Sequence, residues 1–160
     1  MTISLRKAYR PDLPLIHHIQ RTAFMPLYEK YHDHQTSPAV EPIHRIIQRF
    51  EQPCTTYYLI CADDMTVGFL RVFDLGDCCR LSPICILPEH QGNGYAQQAI
   101  TLAIASYSAT TWELETIAQE KILCYLYEKM GFHKTGGYLR VKDGMDLVSY
   151  SKDIYAHKEK

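Results

Sequence analysis

The chain has no long apolar run. Nothing in it approaches the roughly 20 consecutive apolar residues of a membrane-spanning helix. Met1-Thr2-Ile3-Ser4-Leu5-Arg6 lacks the apolar core of a secretion signal. The expected compartment is the cytoplasm. Neither sign of charge dominates: 17 Lys and Arg stand against 18 Asp and Glu, a net charge of −1. A nucleic-acid binder would show a basic balance or stripe, so that class is set aside, while a basic substrate such as an amine is not. The six cysteines include no Cys-x-x-Cys, and adjacent Cys78 and Cys79 would point to opposite faces of a strand. They read as reduced thiols. His32-Asp33-His34 lacks a partner cluster, so no metal is expected. No repeat, linker or low-complexity segment divides the chain. Its 160 residues suit one domain, 1–160, with enough length to bury a core.

What is present alternates between strand and helix patterns. Thr2 to Ala8 reads as a strand, and Asp12 as the N-cap of a helix carrying Ile16, Ile19 and Ala23. Pro26 is expected to end or kink that helix, leaving Leu27 to Val40 as a loop or broken helix on the substrate side. Pro42 opens a second helix with Ile43, Ile46, Ile47 and Phe50 on one face. Thr55–Cys61 and Thr66–Phe73 form a hairpin around Asp63-Asp64, followed by a strand over Cys78–Leu87. Pro83 inside that strand requires an edge or a bulge. A helix through Ala96, Ala99, Ile100, Ala103 and Tyr107 then leads to a strand over Trp112–Ile117. This strand–helix–strand unit predicts a parallel pair with a right-handed crossover. Glu120–Met130 is a further helix closed by Gly131, and two strands near Phe132–Val141 and Met145–Lys152 end the chain.

The segment Gln91-Gly92-Asn93-Gly94-Tyr95-Ala96 stands between a strand and a helix. Its glycines let backbone N–H groups converge, and the helix N-terminus adds about half a positive charge. Together they make a phosphate cradle without a lysine. A P-loop would need Gly-Lys-Ser/Thr, which is absent. The dinucleotide fingerprint would need Gly or Ala at Gln97. Alone, the segment reads as an anion site with several possible ligands.

Ile86 to Ala96 resembles the acetyl-CoA-binding motif of the GCN5-related N-acetyltransferase (GNAT) superfamily, Gln/Arg-x-x-Gly-x-Gly/Ala, with Gln91, Gly94 and Ala96 at the defining positions. Leu126-Tyr127-Glu128-Lys129-Met130-Gly131-Phe132 resembles a later element of the same superfamily, and the element order follows it over nearly the whole chain. The resemblance implies a mixed α/β fold: a mostly antiparallel sheet of six to seven strands, splayed at one parallel pair, with about four helices. It implies transfer of an acetyl group from acetyl-CoA to a primary amine of a small molecule, peptide or protein, by direct attack. The alternative is a non-catalytic CoA-binding or regulatory module. Relatives occur as monomers and homodimers.

The resemblance also assigns residues. Ile84, Cys85 and Ile86 offer backbone groups to the pantetheine arm, and one N–H there faces the developing oxyanion. Gln91, Gly92, Asn93, Gly94, Tyr95 and Ala96 hold the pyrophosphate. Tyr127 is the general acid: a phenol with a pKa of about 10 keeps its proton at neutral pH and can protonate a thiolate of about 8.5. Many relatives carry an Asn seven residues before this Tyr. Glu120 stands there instead, so Gln119 or a backbone group takes over its pantetheine contact. For the base, Glu41 is the named candidate, with Glu29, His32 and His34 in the same variable stretch. Tyr28, Tyr31, His32, Asp33, Glu41 and the closing strands shape the acceptor side. Direct transfer needs no covalent step at Cys85. No spacing names the acceptor.

Overall fold

The computed structural model describes residues 1–154, so the expected domain range of 1–160 ends outside the described residues. Seven strands form one sheet: β1 (Ile3–Lys7), β2 (Thr55–Ala62), β3 (Met65–Asp74), β4 (Cys78–Ile86), β5 (Thr111–Ile117), β6 (His133–Lys142) and β7 (Met145–Asp153). Their spatial order is β1-β2-β3-β4-β5-β7-β6, and every pair but β4/β5 is antiparallel. Four helices flank the sheet: α1 (Leu13–Tyr31), α2 (Ile43–Phe50), α3 (Tyr95–Ala105) and α4 (Lys121–Lys129). The sheet and helix count match the sequence expectation.

Period-two burial along the strands sorts side chains into two cores. Val72, Leu81, Trp112, Leu114 and Tyr150 pack with Ala99, Ile100 and Ala103 of α3 and with Cys124 and Tyr127 of α4. Tyr57, Leu59, Phe69 and Cys85 pack on the other face with Ile16 and Ile19 of α1 and Ile46 of α2. A small third group, Tyr31, Ile117 and Met145, closes the end where α1 meets β5 and β7.

α1 does not stop at Pro26: it runs to Tyr31 and ends on His32 in the left-handed region, with φ 52°. The proline removes one N–H, but burial of Tyr31 and the packing of Leu27 beyond it outweigh that loss. Asp12 holds the N-cap position of α1, as expected, but its side chain does not cap the helix. Its carboxylate turns back to accept from the Tyr9 N–H at 2.8 Å and pairs with Arg6. Pro83 is accommodated by a bulge. Leu70 opposes Ile84 while Val72 opposes Leu81, so Ser82 and Pro83 together face Arg71.

The feature that positions the site is the short parallel pairing. Only Cys78–Arg80 of β4 pair with Thr111–Glu113 of β5. From Leu81 and Leu114 onward the two strands diverge, and the sheet opens.

Candidate active site

A cavity of about 660 Å³ follows this opening. One end is built by the glycine loop. Gly92 and Gly94 have φ of 81° and 76°, and Gly94 is the N-cap of α3. The first helical bond is Gln98 N–H to Gly94 C=O, so the N–H groups of Tyr95, Ala96 and Gln97 have no intrahelical acceptor. No acidic side chain stands in that first turn and no side chain caps it. The positive end of the helix is therefore left uncompensated, as an anion site requires. Gln91 and Asn93 shape the loop from within: Gln91 Nε2 donates to Ile86 C=O at 3.0 Å and Asn93 Nδ2 to His90 C=O at 3.0 Å. These residues fit the diphosphate of a coenzyme A.

The middle of the cavity is the open edge of β4. Leu87 N–H donates to Val67 C=O across the β3 side at 2.8 Å. Backbone direction alternates along a strand, so the N–H groups of Ile84 and Ile86 face away from β3, into the gap. They can donate to a carbonyl placed in the gap. The Cys85 side chain is buried, and burial pushes its thiol pKa up, which keeps it protonated and unfit as a nucleophile.

Tyr127 lines the cavity from α4. Its ring is fixed edge-on to Phe132, with centroids 6.2 Å apart, and lies against Tyr150 at 6.2 Å. Among the described residues nothing hydrogen-bonds its hydroxyl. Burial, with Cys124 and Cys85 beside it, pushes its pKa up to about 12. The phenol is a reserve of one proton at any physiological pH. A thiolate formed in the same apolar surroundings is raised too, as Cys85 shows, so proton transfer between them is less uphill than the phenol value alone suggests.

The other end lies between α1, the turn after it, and the β6–β7 hairpin. Phe24, Leu27, Asp33, Ser37, Val141 and Met145 line it. Reading Pro26 as a helix end hid Phe24 and Leu27, which lie three residues apart on one face of a continuous α1.

Of the residues expected at the site, Ile84, Cys85, Ile86, Gln91, Gly92, Gly94, Tyr95, Ala96 and Tyr127 line one cavity. Asn93, Gln119 and Glu41 do not. The Gln119 amide is closed on Asp146, donating to Oδ2 at 2.8 Å and accepting its N–H at 2.9 Å, so it is not free for a pantetheine arm. Glu120 is taken by Lys30 at 2.6 Å and the Tyr31 hydroxyl at 2.5 Å. Glu41, expected as the base, accepts from Arg49 on both oxygens and from Gln20 Nε2 at 3.0 Å. Its burial works against its charge, but Arg49 and Gln20 outweigh that and hold its pKa below the usual carboxylate value. That combination does not suit proton abstraction in the cavity. Among the described residues no group of three or more His, Cys, Asp or Glu side chains is placed to hold a metal ion, and no helix is long and apolar enough to cross a membrane.

Residues 26–154 match the family model described as "Acetyltransferase (GNAT) domain". The chain belongs to the GNAT acetyltransferase family. It is an acyltransferase. No curated protein matches it in sequence. Among solved structures, the ribosomal-protein-S18-alanine N-acetyltransferase of Escherichia coli superposes with a TM-score of 0.77 at 18% identity, over 96% of this chain and 94% of that one. The spermidine N-acetyltransferase of Vibrio cholerae, in complex with CoA and spermine, gives 0.72 at 18%, over 93% and 94%. The PaiA N-acetyltransferase of Thermoplasma acidophilum, in complex with coenzyme A, gives 0.71 at 16%, over 96% and 100%. At these identities the likeness to this GNAT chain is one of fold.

Proposed function

We propose that residues 1–160, as one domain, transfer an acetyl group from acetyl-CoA to a primary amine. The observation that carries the reading is a single cavity that joins an uncapped helix N-terminus, the free edge of β4 and the Tyr127 hydroxyl. A passive binder of CoA has no use for an unpartnered, protonated phenol at the far end of a pantetheine channel. The crystal structures with CoA and with spermine, cited above for two enzymes of this fold, support the choice of donor and of an amine acceptor.

Bound acetyl-CoA supplies the thioester acyl group. The chain supplies the rest. Gly92 to Ala96 hold the diphosphate by backbone N–H groups and the α3 dipole. The N–H groups of Ile84 and Ile86 fix the pantetheine and polarise the carbonyl; a single donor of this kind contributes about 10²–10³ in rate. Attack by the neutral amine forms the C–N bond and breaks the C–S bond; Tyr127 gives its proton to the leaving sulfur, and the proton that the nitrogen releases restores the phenol. A channel walled by apolar side chains excludes water and limits hydrolysis.

The test is incubation with acetyl-CoA and a panel of primary amines, reading thiol release and product mass. Amine-dependent release, matched by acetylated amine, is expected. CoA binding without amine-dependent release would leave the chain a binding module.

A further inference from the structure

We infer that the acceptor carries, besides the amine that is acetylated, a second positive charge and no carboxylate, and that Asp33 receives that second charge. This rests on the acetyl-transfer reading above.

Asp33 is only 8% exposed yet lines the acceptor end of the cavity. Its Oδ2 accepts from Thr36 Oγ1 at 2.8 Å. Among the described residues no Lys, Arg or His pairs with it, although seven ion pairs form elsewhere. A carboxylate this deep without a cation is costly unless its partner arrives with a ligand. The turn that carries it is pre-formed. The N–H groups of Thr36 and Ser37 both donate to Asp33 C=O, at 3.1 and 2.9 Å. Gln20, 1% exposed, donates to Pro38 C=O at 3.0 Å and pins the turn to α1. The carboxylate is therefore set before the acceptor binds.

Charge is divided along the cavity. The basic side chains that line it are His90, just before the glycine loop, and Lys129, in the last turn of α4. The acidic ones are Asp33 and Glu115; Glu115 pairs loosely with Arg80 at 3.7 Å and accepts from Ser149 Oγ at 3.5 Å. The same cavity is lined by Phe24, Leu27, Ile117, Val141 and Met145, which suit a short apolar linker.

The attacking nitrogen must lose its proton. A carboxylate beside it would favour the charged form and oppose attack. Asp33 therefore serves a nitrogen that stays protonated, held away from the reacting one by the linker. An acceptor carboxylate would meet Asp33 and Glu115 with like charge.

The experiment compares putrescine, butylamine and γ-aminobutyrate, which share one linker and end in an ammonium, a methyl and a carboxylate. For the wild-type chain, kcat/KM with putrescine should exceed that with butylamine by at least about tenfold, with γ-aminobutyrate the poorest. Asp33→Asn should raise KM for putrescine by about tenfold, with kcat within about twofold, and bring the putrescine-to-butylamine ratio near one. Thr36→Val, which frees the carboxylate without removing it, should lower the ratio less; it serves if Asp33→Asn does not fold. Equal wild-type kcat/KM for putrescine and butylamine would overturn the inference while leaving acetyl transfer intact. So would an Asp33→Asn effect on kcat alike for both amines, which would place Asp33 at the reacting nitrogen. Acetylation of no amine at all would remove the transfer reading itself, and this inference with it.

Discussion

The Arg49 guanidinium donates to both oxygens of Glu41, through Nη1 at 2.7 Å and through Nη2 as well. Gln20 of α1 donates to the same carboxylate at 3.0 Å. One acid thus ties α1, the segment before α2 and α2 itself. Glu41→Gln should destabilise the fold by about 2 kcal/mol, because a charged acceptor of three hydrogen bonds is lost beside a half-buried guanidinium. The folded fraction should keep its kcat. Thermal melting together with active-site-normalised turnover checks this; a large fall in kcat without a change in melting would return Glu41 to the chemistry.

Tyr127→Phe should lower kcat by about 10²-fold with little change in acetyl-CoA affinity. The sign of its pH dependence follows from burial. The working form is the protonated phenol, and its pKa is pushed up to about 12. The acid is therefore not lost as pH rises through the assay range, and the rate should climb as the amine deprotonates and then level off. Stopped assays across pH, alongside CoA titrations, read both. A wild-type rate that falls near pH 9 would contradict the assignment.

Gly94 has φ 76° and ψ 14° at the head of α3, and a Cβ built there would meet only Gln98 Nε2, at 3.9 Å. Space is not the constraint; backbone conformation is. Gly94→Val should cost about 1–2 kcal/mol or shift the loop out of its left-handed turn. Gly94→Asn should be milder, since Asn tolerates that region. Acetyl-CoA affinity by calorimetry should fall more for Val than for Asn. Equal, wild-type affinities would place the phosphates elsewhere.

Asp146 accepts from Arg140 Nε at 2.9 Å, Gln119 Nε2 at 2.8 Å and the Tyr138 hydroxyl at 2.8 Å. These, Arg140 first, hold its pKa down to about 2 from an ordinary 3.8. The folded pKa lies below the unfolded one. The stabilisation is therefore complete above about pH 4 and is lost as pH falls toward 2. Melting temperature followed across that window should drop, and Asp146→Asn should flatten part of the drop. An unchanged slope in the variant would show that the acid loss arises elsewhere.

The order of elements and the glycine loop at the head of α3 were legible because their signals are local. Two glycines between an apolar strand and an apolar helix, and the register of Leu126, Tyr127 and Phe132, need no knowledge of distant contacts. Pro26 misled because its penalty is local while the burial that overrides it, Tyr31 against Ile117 and Met145, comes from strands far along the chain. Gln119 meets Asp146 across 27 positions and Glu120 meets Tyr31 across 89. No spacing rule announces either, so Gln119 looked free for the coenzyme. Glu41 and Arg49, eight apart, bridge a loop and a helix, and only the entry angle of α2 brings them together.

The proposed transfer turns on one phenol in one channel. The direct measurement is single-turnover transfer from acetyl-CoA to putrescine by the wild-type chain and by Tyr127→Phe, both saturated with donor. A wild-type rate faster by about 10²-fold at equal CoA occupancy is the predicted result. Equal rates, or no acetylated amine from either protein, would contradict it.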